Sequence, residues 1–361
     1  MVSTAFALAG LGGFNAHGAG FLDTVAECNV VPDLVTATSG QIVLLSAWLQ
    51  GKKLKDLIIN AKLEHNPVGQ ATVGLTGYPG VFRPAYMEAF TRWLIPPAEK
   101  DARQALLNRI LPAQLYVPTR SPEVFQTIAD VFNGKIPNGR FPGHRTGVVF
   151  NAYNLATGRG VLYGNERARD FWPTQKAIPN ATKLAGARYA PTPEDQELQP
   201  ITAKAVESAL WLSLYGFDNL PERDLMDGAY HRSCIVAELT RFERVFVARP
   251  LAEGWLGPRP ANQFDVQDWQ TEMWFSASYK AEVDALNQIN GLVKDRHLGE
   301  PFKYVDLIEI APATPAGFFN YFVEREEVYE KACEETWKKL RERGLVPEAK
   351  LRMPCATRPP L

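Results

Sequence analysis

Cysteine is scarce: Cys28, Cys234, Cys333 and Cys355 are the four in 361 residues, and no two form a CxxC pair. That spacing argues against a structural zinc site and fits free thiols in a reducing compartment. No stretch reaches the roughly 18 uninterrupted apolar residues of a membrane-spanning helix, so no transmembrane segment is expected. Neither sign of charge dominates, with 39 Lys and Arg against 40 Asp and Glu. No global field therefore favours nucleic acid or an anionic membrane. HExxH and other paired metal-ligand patterns are absent, as are internal repeats and low-complexity segments. The opening MVSTAFALAGLGGFNAHGAG has no basic n-region, and glycines interrupt its apolar run. It reads as a buried strand and its turn instead of a signal peptide. A cytoplasmic location follows as the expectation, with secretion without a cleavable signal left open.

What is present is an ordinary globular composition, 46% apolar and 22% charged. One elaborated α/β domain over residues 1–345 is expected, followed by a poorly ordered tail over 346–361. Residues 4–9 read as a strand, with a helix to about Cys28. Residues 33–37 read as a second strand, and QIVLLSAWLQ from Gln41 as a buried helix with Gly51 at its C-terminal cap. Two consecutive strand–helix units imply a parallel sheet with right-handed crossovers. Residues 66–145 are an irregular excursion rich in Pro, Gly and aromatics, with helices near 101–111 and 122–133. Ser121, Pro122 and Glu123 there make a plausible helix start. TGVVFNAY and RGVLYGN flank NLATG as a β-hairpin, with Gly158 suited to a positive-φ turn. Further on come a helix over 202–215, a strand over 243–250, a helix around 268–297, a strand over 304–310 and a charged helix from Phe319 to Arg343. That last helix mixes both charges, which suits a solvated face better than a membrane-surface helix.

Three segments carry the chemistry. Gly10-Leu11-Gly12-Gly13-Phe14-Asn15 directly follows the first strand, where glycines let backbone amides converge on an oxyanion. Ala37-Thr38-Ser39-Gly40-Gln41 puts a serine on a strand-to-helix turn, its Oγ beside amides that favour negative charge. Asp227-Gly228-Ala229 sets a carboxylate beside small residues that let the chain turn sharply. Each alone has a plain structural reading as a turn or cap. The glycine turn could also open a dinucleotide-binding unit. That fingerprint needs Gly or Ala where Asn15 stands, and an acid ending the second strand, whereas Asp33 opens it.

Taken together and in this order, the segments resemble the patatin-like phospholipases. LAGLGGFNAHGAGFLDTV is similar to that family's oxyanion loop, DLVTATSGQI to its serine elbow and LMDGAYHRSCIV to its aspartate block. The hairpin segment TGVVFNAYNLATGRGVLY resembles the one between the last two blocks, and the likeness covers roughly residues 4–250. The resemblance implies a three-layer α/β/α fold around a mainly parallel sheet. It implies Ser39 as nucleophile, Asp227 as base, and Gly10, Gly12, Gly13 and Gly40 as oxyanion donors. It implies no cofactor and no metal. The partners implied are a lipid or acyl-ester substrate and a transient membrane-surface contact, with no nucleic acid. The activity implied is that of a phospholipase A, lysophospholipase or carboxylesterase.

The chain departs from the family pattern at Ala37 and Gln41, which flank the serine where glycine is usual. It departs again at Leu11 and at Phe14-Asn15. These changes keep open a second reading, a catalytically impaired lipid- or acyl-binding protein. His17 and His231 lie within the motif blocks, so a Ser–His–Asp triad is also conceivable, although neither has an acid at a recognisable partner position.

Overall fold

Alternation organises the first strand: Phe6 and Leu8 enter one core, while Ala5 and Ala7 enter another. A strand buried on both faces in this way sits at the centre of a layered α/β structure. A computed structural model describes residues 2–10, 15–58, 72–73, 75–78, 80–94, 101–110, 112–172, 197–251, 254–255, 259–311 and 326–347. Its strands are β1 (Thr4–Leu8), β2 (Leu34–Ala37), β3 (Phe82–Pro84), β4 (Tyr116–Pro118), β5 (Gly147–Asn154), β6 (Arg159–Gly164), β7 (Leu225–Asp227), β8 (Arg244–Ala248) and β9 (Asp306–Ile310). Its helices are α1 (Asn15–Glu27), α2 (Gln41–Leu49), α3 (Lys55–Ile58), α4 (Tyr86–Leu94), α5 (Ala102–Ile110), α6 (Pro122–Phe132), α7 (Glu166–Phe171), α8 (Ala203–Ala209), α9 (Gln263–Lys294) and α10 (Glu326–Glu342).

Among the described residues seven strands form one sheet in the order β6-β5-β2-β1-β8-β9, with β7 also paired to β5. The β5-β2-β1-β8-β9 run is parallel, and β6 and β7 are antiparallel to β5. Apolar residues of α1, α2, α6, α8 and α10 cover one face. The other face is covered by α7, α9 and the segment Cys234–Phe242. The fold is thus three-layer α/β/α with a mainly parallel sheet.

Most expected elements are present with ends moved by a few residues. The hairpin is the β5–β6 pair, and Gly158 takes φ +69° in its turn. Gly51, at φ +84°, follows α2 in the left-handed conformation that a C-terminal cap requires. Ser121 precedes α6 with Pro122 in its first turn, but its side chain makes no capping hydrogen bond. The helix expected over 202–215 is shorter, Ala203–Ala209, because the chain turns at Leu210 to pack Trp211 and Tyr215 into a third, smaller core. The excursion over 66–145 is less irregular than its composition implies, since β3 and β4 pair antiparallel within it. Helix residues expected over 319–325 lie outside the described residues. So does most of the 346–361 tail, of which Val346 is buried against the first core.

One register fixes the site. β2 runs along β5 from Leu34 opposite Gly147 to Ala37 opposite Phe150. β7 pairs β5 from Asp227 opposite Ala152 to Leu225 opposite Asn154. Because β6 occupies the other edge of β5 over those residues, β7 lies on the same edge as β2. The end of β2 and the end of β7 therefore meet head-on, about 7 Å apart along β5.

Candidate active site

Where the two strand ends meet, Ser39 Oγ donates a 2.5 Å hydrogen bond to Asp227 Oδ2. The residues are 188 apart in sequence and both are buried, Ser39 5% and Asp227 1% exposed. Ser39 takes φ +56°, a left-handed conformation that costs a non-glycine residue about 1 kcal/mol or more. The turn is held there by its backbone: the Thr38 amide donates to the Leu8 carbonyl, and the Ile42 amide to the Ser39 carbonyl. A serine strained in this way between a strand and a helix presents its Oγ clear of its own backbone.

Asp227 has two further constraints. Its amide donates to the Trp211 carbonyl at 3.0 Å, and its Oδ1 accepts the Ala229 amide at 2.8 Å. Burial pushes its carboxyl up from 3.8 to about 7, against the opposing pull of the Ser39 hydroxyl and the Ala229 amide. A carboxylate that titrates near neutrality can both take and return a proton at working pH.

The glycines divide. Gly10 does not supply a free oxyanion donor, because its amide donates to the Ser233 carbonyl at 3.0 Å. What Gly10 provides is room: a Cβ there would lie 2.2 Å from the Thr38 carbonyl oxygen and 2.7 Å from Ser39 Cβ. Gly40 follows the serine, and its amide has no hydrogen-bond acceptor among the described residues. Gly12 and Gly13, with Leu11 and Phe14, lie outside the described residues.

The crowding expected at Gln41 is relieved from the opposite side. Its buried side chain lies over α1, where a Cβ on Gly18 would fall 2.0 Å from its Oε1. A glycine on the neighbouring helix thus supplies the space that the elbow itself lacks. Ala37 fits as the last residue of β2, opposite Leu8 and Phe150. Asn15 packs its side-chain amide on Gly40.

Neither histidine joins the pair. His17 is fully buried, and its Nε2–H donates to the Ile310 carbonyl at 3.0 Å, the only polarity a carbonyl allows. Burial depresses its pKa to about 4, so it is neutral at pH 7. His231 stacks on Tyr153 at 5.8 Å. Among the described residues no group of three His, Cys, Asp or Glu could hold a metal ion, and Cys28, Cys234 and Cys333 are buried. Cys355 lies outside the described residues.

No protein-family model matches the chain, and no curated protein sequence matches it either. Among solved structures it is similar to VipD from Legionella pneumophila, at 11% identity and a TM-score of 0.35, covering 94% of this chain and 67% of that one. A likeness of that size bears on neither activity nor site.

Two supports of the Asp227 turn escape a motif reading. Asn151 Nδ2 donates to the carbonyls of Gly228 and Arg232, at 3.1 and 2.9 Å. A Cβ on Gly228 would lie 2.3 Å from the Asn151 side chain, so this glycine admits the strut. Arg232 in turn makes paired contacts with Glu238 and Glu282. The signal for Asn151 was an amide in the middle of an apolar strand, where a buried polar group needs a purpose.

Proposed function

We propose that this protein is an acyl-ester hydrolase of the patatin-like type, with Ser39 as nucleophile and Asp227 as general base. The observation that carries the reading is the 2.5 Å contact from a serine held at positive φ to a buried carboxylate. Asp227 accepts the Ser39 proton as Oγ attacks the acyl carbonyl. The oxyanion so formed is held by the Gly40 amide, with Gly12 and Gly13 the further donors that the resemblance implies. Collapse expels the alcohol, which leaves with the proton returned by Asp227. Water then gives its own proton to Asp227 and attacks the acyl-enzyme, releasing the acid and restoring Ser39. A fluorophosphonate probe tests this directly. Wild type is expected to label, while Ser39→Ala shows no labelling above background and loses at least about 10³-fold in ester hydrolysis. Folded wild-type protein that neither labels nor hydrolyses any ester in a chain-length panel would instead be an acyl-binding relative.

The substrate's lipid character is supported by α4 and α5. Met87, Phe90, Trp93 and Leu94 on α4 and Leu106, Leu107 and Ile110 on α5 are each more than half exposed. At helical spacing they form stripes that a water-soluble helix ordinarily turns inward. Arg109 lies over the Trp93 ring at 5.8 Å, adding a cation at the edge of the stripe. We read α4 and α5 as the face that meets a lipid surface. Among the described residues no helix is long and apolar enough to cross a membrane. Replacing Phe90 and Trp93 together by Ser is expected to weaken sedimentation with anionic vesicles about tenfold or more, from lost apolar insertion. Turnover of a soluble short-chain ester should hold. Equal vesicle binding by both proteins would remove the assignment.

A further inference from the structure

Asn15, the first residue of α1, stands where the family pattern has glycine, and it brings a side-chain amide to the serine elbow. That amide lies on Gly40, the residue after the nucleophile. A Cβ built on Gly40 would fall 2.2 Å from Asn15 Nδ2 and 2.8 Å from both Cγ and Oδ1. A Cβ lies about 2.5 Å from its own backbone nitrogen, so Nδ2 is within about 4.7 Å of the Gly40 amide nitrogen. Two donors at that spacing can share one oxygen, each at an ordinary hydrogen-bond length.

The two polar atoms of Asn15 differ in setting. Oδ1 is buried and has no hydrogen-bond partner among the described residues. Nδ2 is not buried, and it too bonds nothing among them. The Gly40 amide is likewise without an acceptor. Two uncommitted N–H groups thus lie together at the residue that follows Ser39.

A buried carbonyl oxygen without a donor destabilises the fold, so its placement needs a purpose. Turning Oδ1 inward leaves Nδ2, on the same planar amide, as the end that a ligand can meet. A tetrahedral oxyanion on the acyl carbon bonded to Ser39 Oγ is an acceptor that suits both donors. The site also lacks one donor that the resemblance implies, because the Gly10 amide is committed to the Ser233 carbonyl at 3.0 Å. Asparagine at 15 and glycine at 40 depend on one another, since a Cβ at 40 would take the place of the Asn15 amide.

We propose that Asn15 is a catalytic residue whose Nδ2 donates to the oxyanion together with the Gly40 amide. This rests on the acyl-ester hydrolase reading, and it gives to a side chain a role that the resemblance assigns to backbone glycines alone. The amide carries no charge, so its contribution does not vary with pH, whereas that of Asp227 does.

The test compares full-length wild type with Asn15→Ala and Asn15→Gly on a soluble short-chain ester, with melting temperature as the check on folding. In both variants kcat is expected to fall about 10²-fold or more, with KM changed by less than about threefold. The rise of kcat/KM with pH, set by Asp227 at about 7, should not move. A trifluoromethyl ketone, which adds to Ser39 and carries the same oxyanion, should bind each variant more weakly by the factor lost in kcat/KM. Gly40→Ala, whose Cβ displaces the Asn15 amide, should lose as much, and added to Asn15→Ala it should cost less than about threefold more. Asn15→Asp, alike in shape but without the donor once ionised, should lose at least as much ketone affinity, and it serves if the smaller variants do not fold. Wild-type kcat in a folded Asn15→Ala overturns the donor and leaves the hydrolase standing. A lower kcat with unchanged ketone affinity, or with a displaced pH profile, makes Asn15 a support of the elbow and overturns the donor as well. Wild type that neither hydrolyses the ester nor binds the ketone overturns the hydrolase reading and the donor with it.

Discussion

Asp227→Asn is expected to be nearly inactive and, above neutral pH, more stable than wild type. Burial raises this carboxyl from 3.8 to about 7, so the folded protein holds the proton more tightly than the unfolded chain does. The stability linked to that proton is fully present below pH 3.8 and is lost as pH rises through about 7. Above that pH the fold carries a buried carboxylate, a burden of roughly 4 kcal/mol by linkage. Asparagine never ionises. Its Oδ1 can still accept the Ala229 amide, and its Nδ2 can donate to Ser39 Oγ, so no polar group is orphaned. The melting temperature of the variant should exceed that of wild type by on the order of 5–10 °C at pH 9, and the two should converge near pH 4. Turnover should fall about 10²–10⁴-fold, because an amide cannot take the serine proton. Wild-type kcat/KM should rise with pH through about 7 as Asp227 ionises. A variant that still turns over, or a melting difference that does not change with pH, would sink the assignment of Asp227 as the base.

Stability and chemistry therefore pull apart at this position, and the sequence carried only half of that. The strand–turn–helix repeats were legible because β1, β2 and their helices are locally consistent: short apolar runs, then glycine or serine turns, then buried helices. Ser39 and Asp227 were legible as residue types in an order. Their juxtaposition was not, since it depends on β7, three residues long and too short to show any periodicity. β7 exists because β5 runs on beyond the end of β2 and leaves an edge to pair. Gln41 read as an obstacle because only its own chain neighbours were visible. The glycine that accommodates it is Gly18, on a different helix. Gly10 misled for the opposite reason: a glycine beside a nucleophile suggests a free amide, and only the position of Ser233 shows the amide to be occupied. The small sheet of β3 and β4 was hidden by Pro84 and Pro118, which end strands that tertiary contacts nonetheless hold together.

The second large effect is expected at Arg232, which touches neither Ser39 nor Asp227. Its guanidinium meets Glu282 through Nε and Nη2, both at 2.6 Å, and Glu238 through Nη1 and Nη2 at 2.7 and 2.6 Å. Side-chain exposure is only 15% for the arginine and 7% and 10% for the two glutamates, so water screens these charges little. Glu282 Oε2 also accepts the amides of Val236 and Ala237. One helix, α9, thereby grips the chain that leaves the aspartate turn. Arg232→Met removes the cation and leaves two buried carboxylates facing each other, which costs about 3–5 kcal/mol. Thermal unfolding should show a loss on the order of 10 °C. Removing the charges together, as Arg232→Met with Glu238→Met and Glu282→Gln, should recover most of that loss, because the penalty lies in the unpaired acids and not in the absent bridge. The glutamine keeps an acceptor for the two amides. Activity discriminates further, since the Arg232 carbonyl is one of the two that Asn151 holds beside Gly228. In the single variant, below its melting point, the turn bearing Asp227 loses its grip on α9 and kcat should fall with KM little changed. If the single variant unfolds at the wild-type temperature, the network is an ordinary surface ion pair and the aspartate turn is held by Asn151 alone.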